Sequence, residues 1–247
     1  MSSKPQLVFV PGAWHTPEAF SLITPLLKSA GYTVHSRQLP AVGNPNPPQD
    51  LSEDIAAVRD LVTEAIGTGN DVVVFPHSWG GIVVGSALVG LGKKEREAQG
   101  EKGGVVRTGY ICSFLVPKGI NPIQSMDADW WTVEGNQILL KPSGQQVLYS
   151  DLPIPDQEKW FAKVQTHAFH AQQGNATAEC WLDIPTSYLL CEDDQAIPCS
   201  AQEAMTEMVR QRGGDIEVER IKSGHSPFLS QPENTVAWVR KVAGEKV

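Results

Sequence analysis

Three side chains, Ser78, Asp194 and His225, have the types that together activate a serine nucleophile, and each stands just past a segment that reads as a strand. Ser78 follows Asp71-Val72-Val73-Val74-Phe75-Pro76-His77 and precedes Trp79-Gly80-Gly81 and the apolar stretch Ile82 to Val89. The first run reads as a buried strand, the second as a buried helix. A serine at a sharp strand-to-helix turn has its hydroxyl lifted above the carboxyl end of a sheet. The first amides of the helix face the same spot, where their partial positive charge stabilises an oxyanion. A serine hydroxyl is a poor nucleophile at neutral pH, so a base must take its proton during attack. His225, in Gly224-His225-Ser226-Pro227, is the candidate base. Asp194, in Asp193-Asp194-Gln195-Ala196-Ile197-Pro198, would hold the imidazole tautomer and stabilise the imidazolium. Its neighbour Asp193 is the rival acid, and the spacing Asp-x-x-x-Pro favours Asp194. Singly, each residue has a plain structural use as a cap, a turn or a loop residue. The order Ser, Asp, His at three strand ends is what gives the set its meaning.

The other donor of an oxyanion hole is expected in the loop after the first strand, Pro11-Gly12-Ala13-Trp14-His15. Gly12 allows close backbone approach, and the N–H groups of Ala13 and Trp79 are the candidate donors. Trp14 and His15 either touch substrate or pack the loop. His77 adjoins the nucleophile but points elsewhere on a turn, so packing is its expected role. His167 and His170 lie three apart on an expected helix, with no third ligand nearby, and no metal site is assigned.

The elements that would position these residues alternate. Leu7 to Val10 reads as a strand, Thr16 to Ala30 as a helix with a threonine cap and Pro17 in its first turn, and Tyr32 to Ser36 as a second strand. After a Pro/Asn-rich loop, Leu51 to Ile66 carries Ile55, Val58, Leu61, Val62 and Ile66 at helical spacing. The charged stretch from Gly92 to Gly104 reads as a solvated loop, and Val105 to Val116 as a strand. Strands are expected again at Thr186–Cys191 and Ile216–Ile221, with helices at Cys199–Arg212 and Gln231–Val242. Such alternation means a parallel sheet covered by helices on both faces. It breaks between 117 and 183, a segment rich in Trp, Phe, Pro and Gln. The expected organisation is therefore a core of residues 1–116 and 184–247 with a lid inserted at 117–183. Trp130, Trp131 and Trp160 of the lid are expected to line the substrate pocket together with Trp14 and His15.

Length and composition fit this reading. A chain of 247 residues with 41% hydrophobic and 19% charged content suits one α/β domain with an insertion. A net charge of −8 argues against nucleic acid and anionic membrane surfaces as partners. The four cysteines include no C-x-x-C pair, and reduced thiols are expected. The start Met-Ser-Ser-Lys-Pro-Gln carries no signal-peptide pattern and no segment approaches membrane-spanning length, so a cytoplasmic protein, monomer or homodimer, is expected.

These motifs resemble the α/β-hydrolases of the plant methylesterase and hydroxynitrile lyase group and their fungal relatives. The likeness runs over nearly the whole chain: Phe9-Val10-Pro11-Gly12-Ala13-Trp14-His15, the turn at Ser78, the segment Tyr188 to Pro198, and Gly224-His225. It implies an α/β-hydrolase fold, a cofactor-free Ser-His-Asp triad and a small-molecule substrate. Two departures stand out. Pro76 replaces the usual glycine two residues before the serine, and Pro11 replaces the usual histidine before the loop glycine. Lyases of the group carry a threonine in the oxyanion loop and a lysine after the catalytic histidine. Gly12 and Ser226 stand there instead, which favours ester or lactone hydrolysis over cyanohydrin cleavage, and the aromatic lid points to an apolar or aromatic substrate. A lyase or cyclase on the same triad, and a small-molecule receptor with this fold, are the alternative expectations.

Overall fold

The computed structural model describes residues 4–126 and 128–246. Its strands are β1 (Gln6–Val10), β2 (Val34–Ser36), β3 (Asp71–Pro76), β4 (Gly104–Ile111), β5 (Trp131–Glu134), β6 (Gln137–Leu140), β7 (His167–Ala168), β8 (Thr186–Cys191) and β9 (Ile216–Ile221). Its helices are α1 (Ile23–Ser29), α2 (Ser52–Ile66), α3 (Gly80–Ala87), α4 (Lys93–Ala98), α5 (Ser143–Tyr149), α6 (Ile154–Phe161), α7 (Phe169–Gln172), α8 (Cys199–Gln211), α9 (Pro227–Ser230) and α10 (Pro232–Val242). Six strands form one parallel sheet in the order β2-β1-β3-β4-β8-β9. Of its inner strands, β1 and β3 are buried from their second residue onward and β8 throughout, as a sheet covered on both faces requires. Among the described residues, no helix is long and apolar enough to cross a membrane.

Register places the loops that matter side by side. β1 hydrogen-bonds to β2 on one side and β3 on the other, so the strand order reverses direction there, and crevices form at such points. Val10 pairs with Pro76 at the carboxyl ends of β1 and β3. The loop starting at Pro11 and the turn at Ser78 therefore leave the sheet together. Likewise Cys191 pairs with Ile221 at the ends of β8 and β9, so the loops carrying Asp194 and His225 emerge as neighbours.

Several local expectations change. The helix over 16–30 is two pieces, a 3-10 turn at Pro17–Phe20 and α1. Pro25 donates no N–H, so it is tolerated only where α1 restarts two residues before it. The charged stretch is not all loop: Lys93 to Ala98 forms α4, with no buried residue. The expected strand to Val116 ends at Ile111, because Cys112 has a left-handed φ of 32° that leaves the extended conformation. Pro76 is accommodated by a gap in pairing. The β3–β4 ladder stops at Val74–Thr108 and resumes as one bridge at His77–Ile111, and the residue without an N–H sits between them.

The segment 117–183 makes a second sheet, antiparallel, in the order β5-β6-β7. It is fastened to the loop between β2 and α2. Ala168 N–H donates to the Ala41 carbonyl at 2.7 Å and Gly43 N–H to the Thr166 carbonyl at 2.9 Å.

Candidate active site

Ser78 has a φ of 51°, a left-handed conformation that costs a serine energy and needs outside support. The support is concentrated on its carbonyl. That oxygen accepts from Ser113 Oγ at 2.6 Å and from the N–H groups of Gly81 and Phe114, both at 3.1 Å. The turn is also too tight for side chains. A Cβ on Gly81 would lie 2.2 Å from the Phe114 carbonyl oxygen, and one on Gly80 would lie 2.7 Å from that of Pro11. These clashes explain why two glycines follow Ser78-Trp79.

The Ala13 and Trp79 N–H groups have no hydrogen-bond partner among the described residues. Both residues line the same cleft as Ser78 and His225. Two free donors beside a nucleophile are what an oxyanion needs. The Ser78 hydroxyl likewise has no hydrogen bond among the described residues. In unliganded sites the nucleophile–base contact is commonly long and tightens with substrate.

His225 is buried, and its Nδ1–H donates to Asp194 Oδ2 at 2.8 Å. That leaves Nε2 to serve as base. Asp194 Oδ1 accepts from the N–H groups of Ala196 at 2.7 Å and Ile197 at 2.9 Å. Its Oδ2 also accepts from Gln202 Nε2 at 3.2 Å. Four accepted hydrogen bonds satisfy this buried carboxyl group and fix its orientation toward His225. Asp193 is exposed.

Gln202 was not legible in the sequence as part of this site. Its side chain also bonds to the backbone of Cys191 and Ile197, so one residue of α8 stitches the Asp194 loop together. His77 does more than fill space. Its Nε2–H donates to the His225 carbonyl at 2.9 Å, and the two rings lie 4.6 Å apart. Burial pushes the His77 imidazole well below its usual pKa, so it stays neutral beside the base. His15 is lowered to about 4, mainly by burial, against a raising hydrogen bond to Ala13. Its Nδ1–H donates to the Ala13 carbonyl at 2.8 Å, and its Nε2 accepts from the Tyr149 hydroxyl at 2.8 Å. His225 is thus flanked by two imidazoles that do not compete for its proton at neutral pH.

The inserted segment also grips the histidine loop. Ser226 Oγ donates to the Leu148 carbonyl at 3.0 Å, and Asp151 Oδ2 accepts from Gly224 N–H and Ser223 Oγ, both at 2.8 Å. Its residues Ile123, Met126, Trp130, Trp131, Leu148 and Gln172 line the cleft opposite Ser78. Trp14 packs against Trp130 and Trp131, with ring centres 5.3 and 5.6 Å away. The cleft has a clear volume of about 20 Å³, room for about one water.

Of the five residues expected in the pocket, Trp14, His15, Trp130 and Trp131 line the cleft, and Trp160 does not. Trp160 lies on α6, behind His15 and Tyr149, with the ammonium groups of Lys159 and Lys163 over its ring. His167 is on β7, not a helix. It is buried and its Nδ1 accepts from Trp14 N–H at 3.4 Å, whereas His170 is exposed and bonds to Gln49. Donor atoms of His77, Cys112 and His225 lie within 4.8 Å of one another. The Cys112 thiol, pushed well up by burial, donates to the His225 carbonyl at 3.2 Å, so the cluster braces the base.

Residues 7–238 match the model of the alpha/beta hydrolase family. The chain is 32% identical over 252 residues to the alpha/beta hydrolase nvfD of Aspergillus novofumigatus (strain IBT 16806), covering 99% of this chain and 98% of that protein. Among solved structures it is similar to polyneuridine aldehyde esterase, with a TM-score of 0.77, 19% identity and 97% and 99% of the two chains covered. It is also similar to a pyrethroid hydrolase from Sphingobium faniae JZ-2, with a TM-score of 0.76, 20% identity and 98% of each chain covered. At these identities the structural likenesses speak for the fold alone.

Proposed function

The chain belongs to the alpha/beta hydrolase family, and on that premise we propose that it cleaves a small carboxylic ester or lactone through an acyl-enzyme on Ser78. The observation that carries this reading is the convergence of four groups on one cleft. They are Ser78 on its left-handed turn, the His225–Asp194 pair, and the unpaired N–H groups of Ala13 and Trp79.

Ser78 Oγ attacks the carbonyl carbon while His225 Nε2 takes its proton. The carbonyl oxygen becomes an alkoxide held by the Ala13 and Trp79 N–H groups. Asp194 stabilises the imidazolium through Nδ1–H, and the proton passes to the departing alkoxide. Water repeats the sequence on the acyl-enzyme and releases the acid.

Segment 117–183 acts in this reading as a lid. Its tryptophans supply an apolar roof, and with room for about one water the roof has to yield before an ester enters. Ser226 is fully buried and its hydroxyl is spent on the Leu148 carbonyl, so no ammonium is supplied to a departing cyanide. That favours hydrolysis over cyanohydrin cleavage.

A panel of p-nitrophenyl esters and lactones, with Ser78→Ala as control, tests the proposal. Saturable turnover by the wild type, lost in Ser78→Ala, is the expected result. Absence of turnover across short, long and aromatic acyl groups would refute it.

A further inference from the structure

Three residues that line the cleft hold buried polar atoms with nothing to bond to. The indole nitrogens of Trp14 and Trp79 and the amide oxygen of Gln172 are all buried and unpartnered, and all three residues line the cleft with Ser78. The Gln172 side chain makes no hydrogen bond at either end of its amide, although the residue is only 1% exposed. Two imidazole nitrogens nearby, His77 Nδ1 and His167 Nε2, are also buried without a partner, but neither residue lines the cleft. Gln202, equally buried, uses both ends of its amide. Buried polar groups are normally paired, because leaving them unpaired is costly. With room for about one water, the resting cleft can serve only part of this set.

Among the described residues, the cleft is lined by no Lys, Arg, Asp or Glu, and its two histidines are His15, neutral at ordinary pH, and His225. The described lining therefore offers no formal charge to a carboxylate or an ammonium group on the substrate. What the cleft offers is two N–H donors and an amide that both donates and accepts.

Resting on the ester-hydrolase reading, we propose that the substrate carries a second, uncharged oxygen group, a ketone or a hydroxyl. It would be held by the Gln172 amide and the indole N–H groups of Trp14 and Trp79. The aromatic roof would take the hydrocarbon part. A plain alkyl ester leaves these three groups desolvated and unpaired, and a site built to bond an oxygen rejects the analogue that lacks it.

The test measures binding without hydrolysis. Ser78→Ala protein is titrated calorimetrically with hexananilide, its 3-, 4- and 5-keto and hydroxy analogues, and the carboxylate monoanilide of adipic acid. At least one neutral oxygenated member should bind ~10- to 100-fold tighter than hexananilide. That ratio should fall below ~3 when Gln172→Leu is added. Indole ¹⁵N–¹H resonances of Trp14 and Trp79 should shift with the oxygenated ligand more than with hexananilide, a readout that needs no change at Gln172. The proposal is overturned if no oxygenated member binds saturably, if hexananilide binds as tightly as all of them, or if the carboxylate binds best. A wild type that binds the oxygenated anilides selectively but is not labelled by a fluorophosphonate would refute the hydrolase reading and uphold the polar subsite.

Discussion

Gly12→Ala should separate the oxyanion loop from the rest of the machinery. Gly12 is not in the left-handed region, so its backbone suits alanine and only space is at issue. An added Cβ would lie 2.8 Å from Ser78 Cβ, 3.0 Å from His77 Nδ1 and 3.2 Å from the His77 carbonyl oxygen. Carbon atoms in ordinary contact sit ~3.5–4.0 Å apart, so the loop must retreat from the turn by roughly 0.7–1.2 Å. The neighbours cannot give instead, because Ser78 is pinned through its carbonyl and His77 through His225. Moving the Ala13 N–H by that much amounts to losing one oxyanion donor, which costs ~10²–10³ in kcat. Overpacking of this kind destabilises by ~1–3 kcal/mol, or ~2–12 °C in Tm for a chain of this size. Gly85→Ala is the control. Its Cβ meets only the Ala178 carbonyl oxygen at 3.8 Å, and an interior helix position gains up to ~1 kcal/mol from the exchange. Steady-state kinetics on a p-nitrophenyl ester and thermal melts would be read together. A folded Gly12→Ala protein with wild-type kcat would refute the role given to the Ala13 N–H.

Three other changes have distinct signatures. Asp194→Asn should lower kcat ~10⁴-fold by offering His225 the wrong hydrogen-bond partner, while Asp193→Asn, at an exposed position, stays near wild type; the reverse pattern would move the acid to Asp193. Trp130→Ala and Trp131→Ala should reorder preference among esters more than they change fluorophosphonate labelling, whereas Trp160→Ala, outside the cleft, should leave the preference unchanged. Asp54 is buried with Oδ2 unpartnered, and burial raises its pKa to about 7. The folded state therefore holds this proton more tightly than the unfolded chain, and stability falls as pH rises from about 4 through about 7. Asp54→Asn should remove that slope, and equal Tm changes between pH 5 and 8 in both proteins would count against it.

The parts of this site carried by local pattern were legible. A β-branched run, a serine and paired glycines mark the turn at Ser78, because sterics there leave few alternatives. Asp194 and His225 were found because both follow strands by a few residues, one buried and one alternating, and parallel register then brings them together. What escaped reading depends on long-range packing. Nothing near Gln202 announces that its amide will reach Asp194 from α8, or that Ser113 will hold the Ser78 carbonyl from the loop after β4. The lid gave composition without orientation. Trp130 and Trp160 look alike in sequence, but only Trp130 leads into the hairpin that faces Trp14, while Trp160 belongs to a helix packed behind Tyr149. The short helix α4 escaped because five of its six residues are charged and leave no apolar stripe.

The central claim is that Ser78 is the nucleophile, and intact-protein mass spectrometry after reaction with a fluorophosphonate tests it most directly. The account predicts one adduct per chain, mapped by peptide sequencing to Ser78 and lost in a folded Ser78→Ala protein. An adduct on another residue, or none under conditions that fully label a known serine esterase, would contradict it.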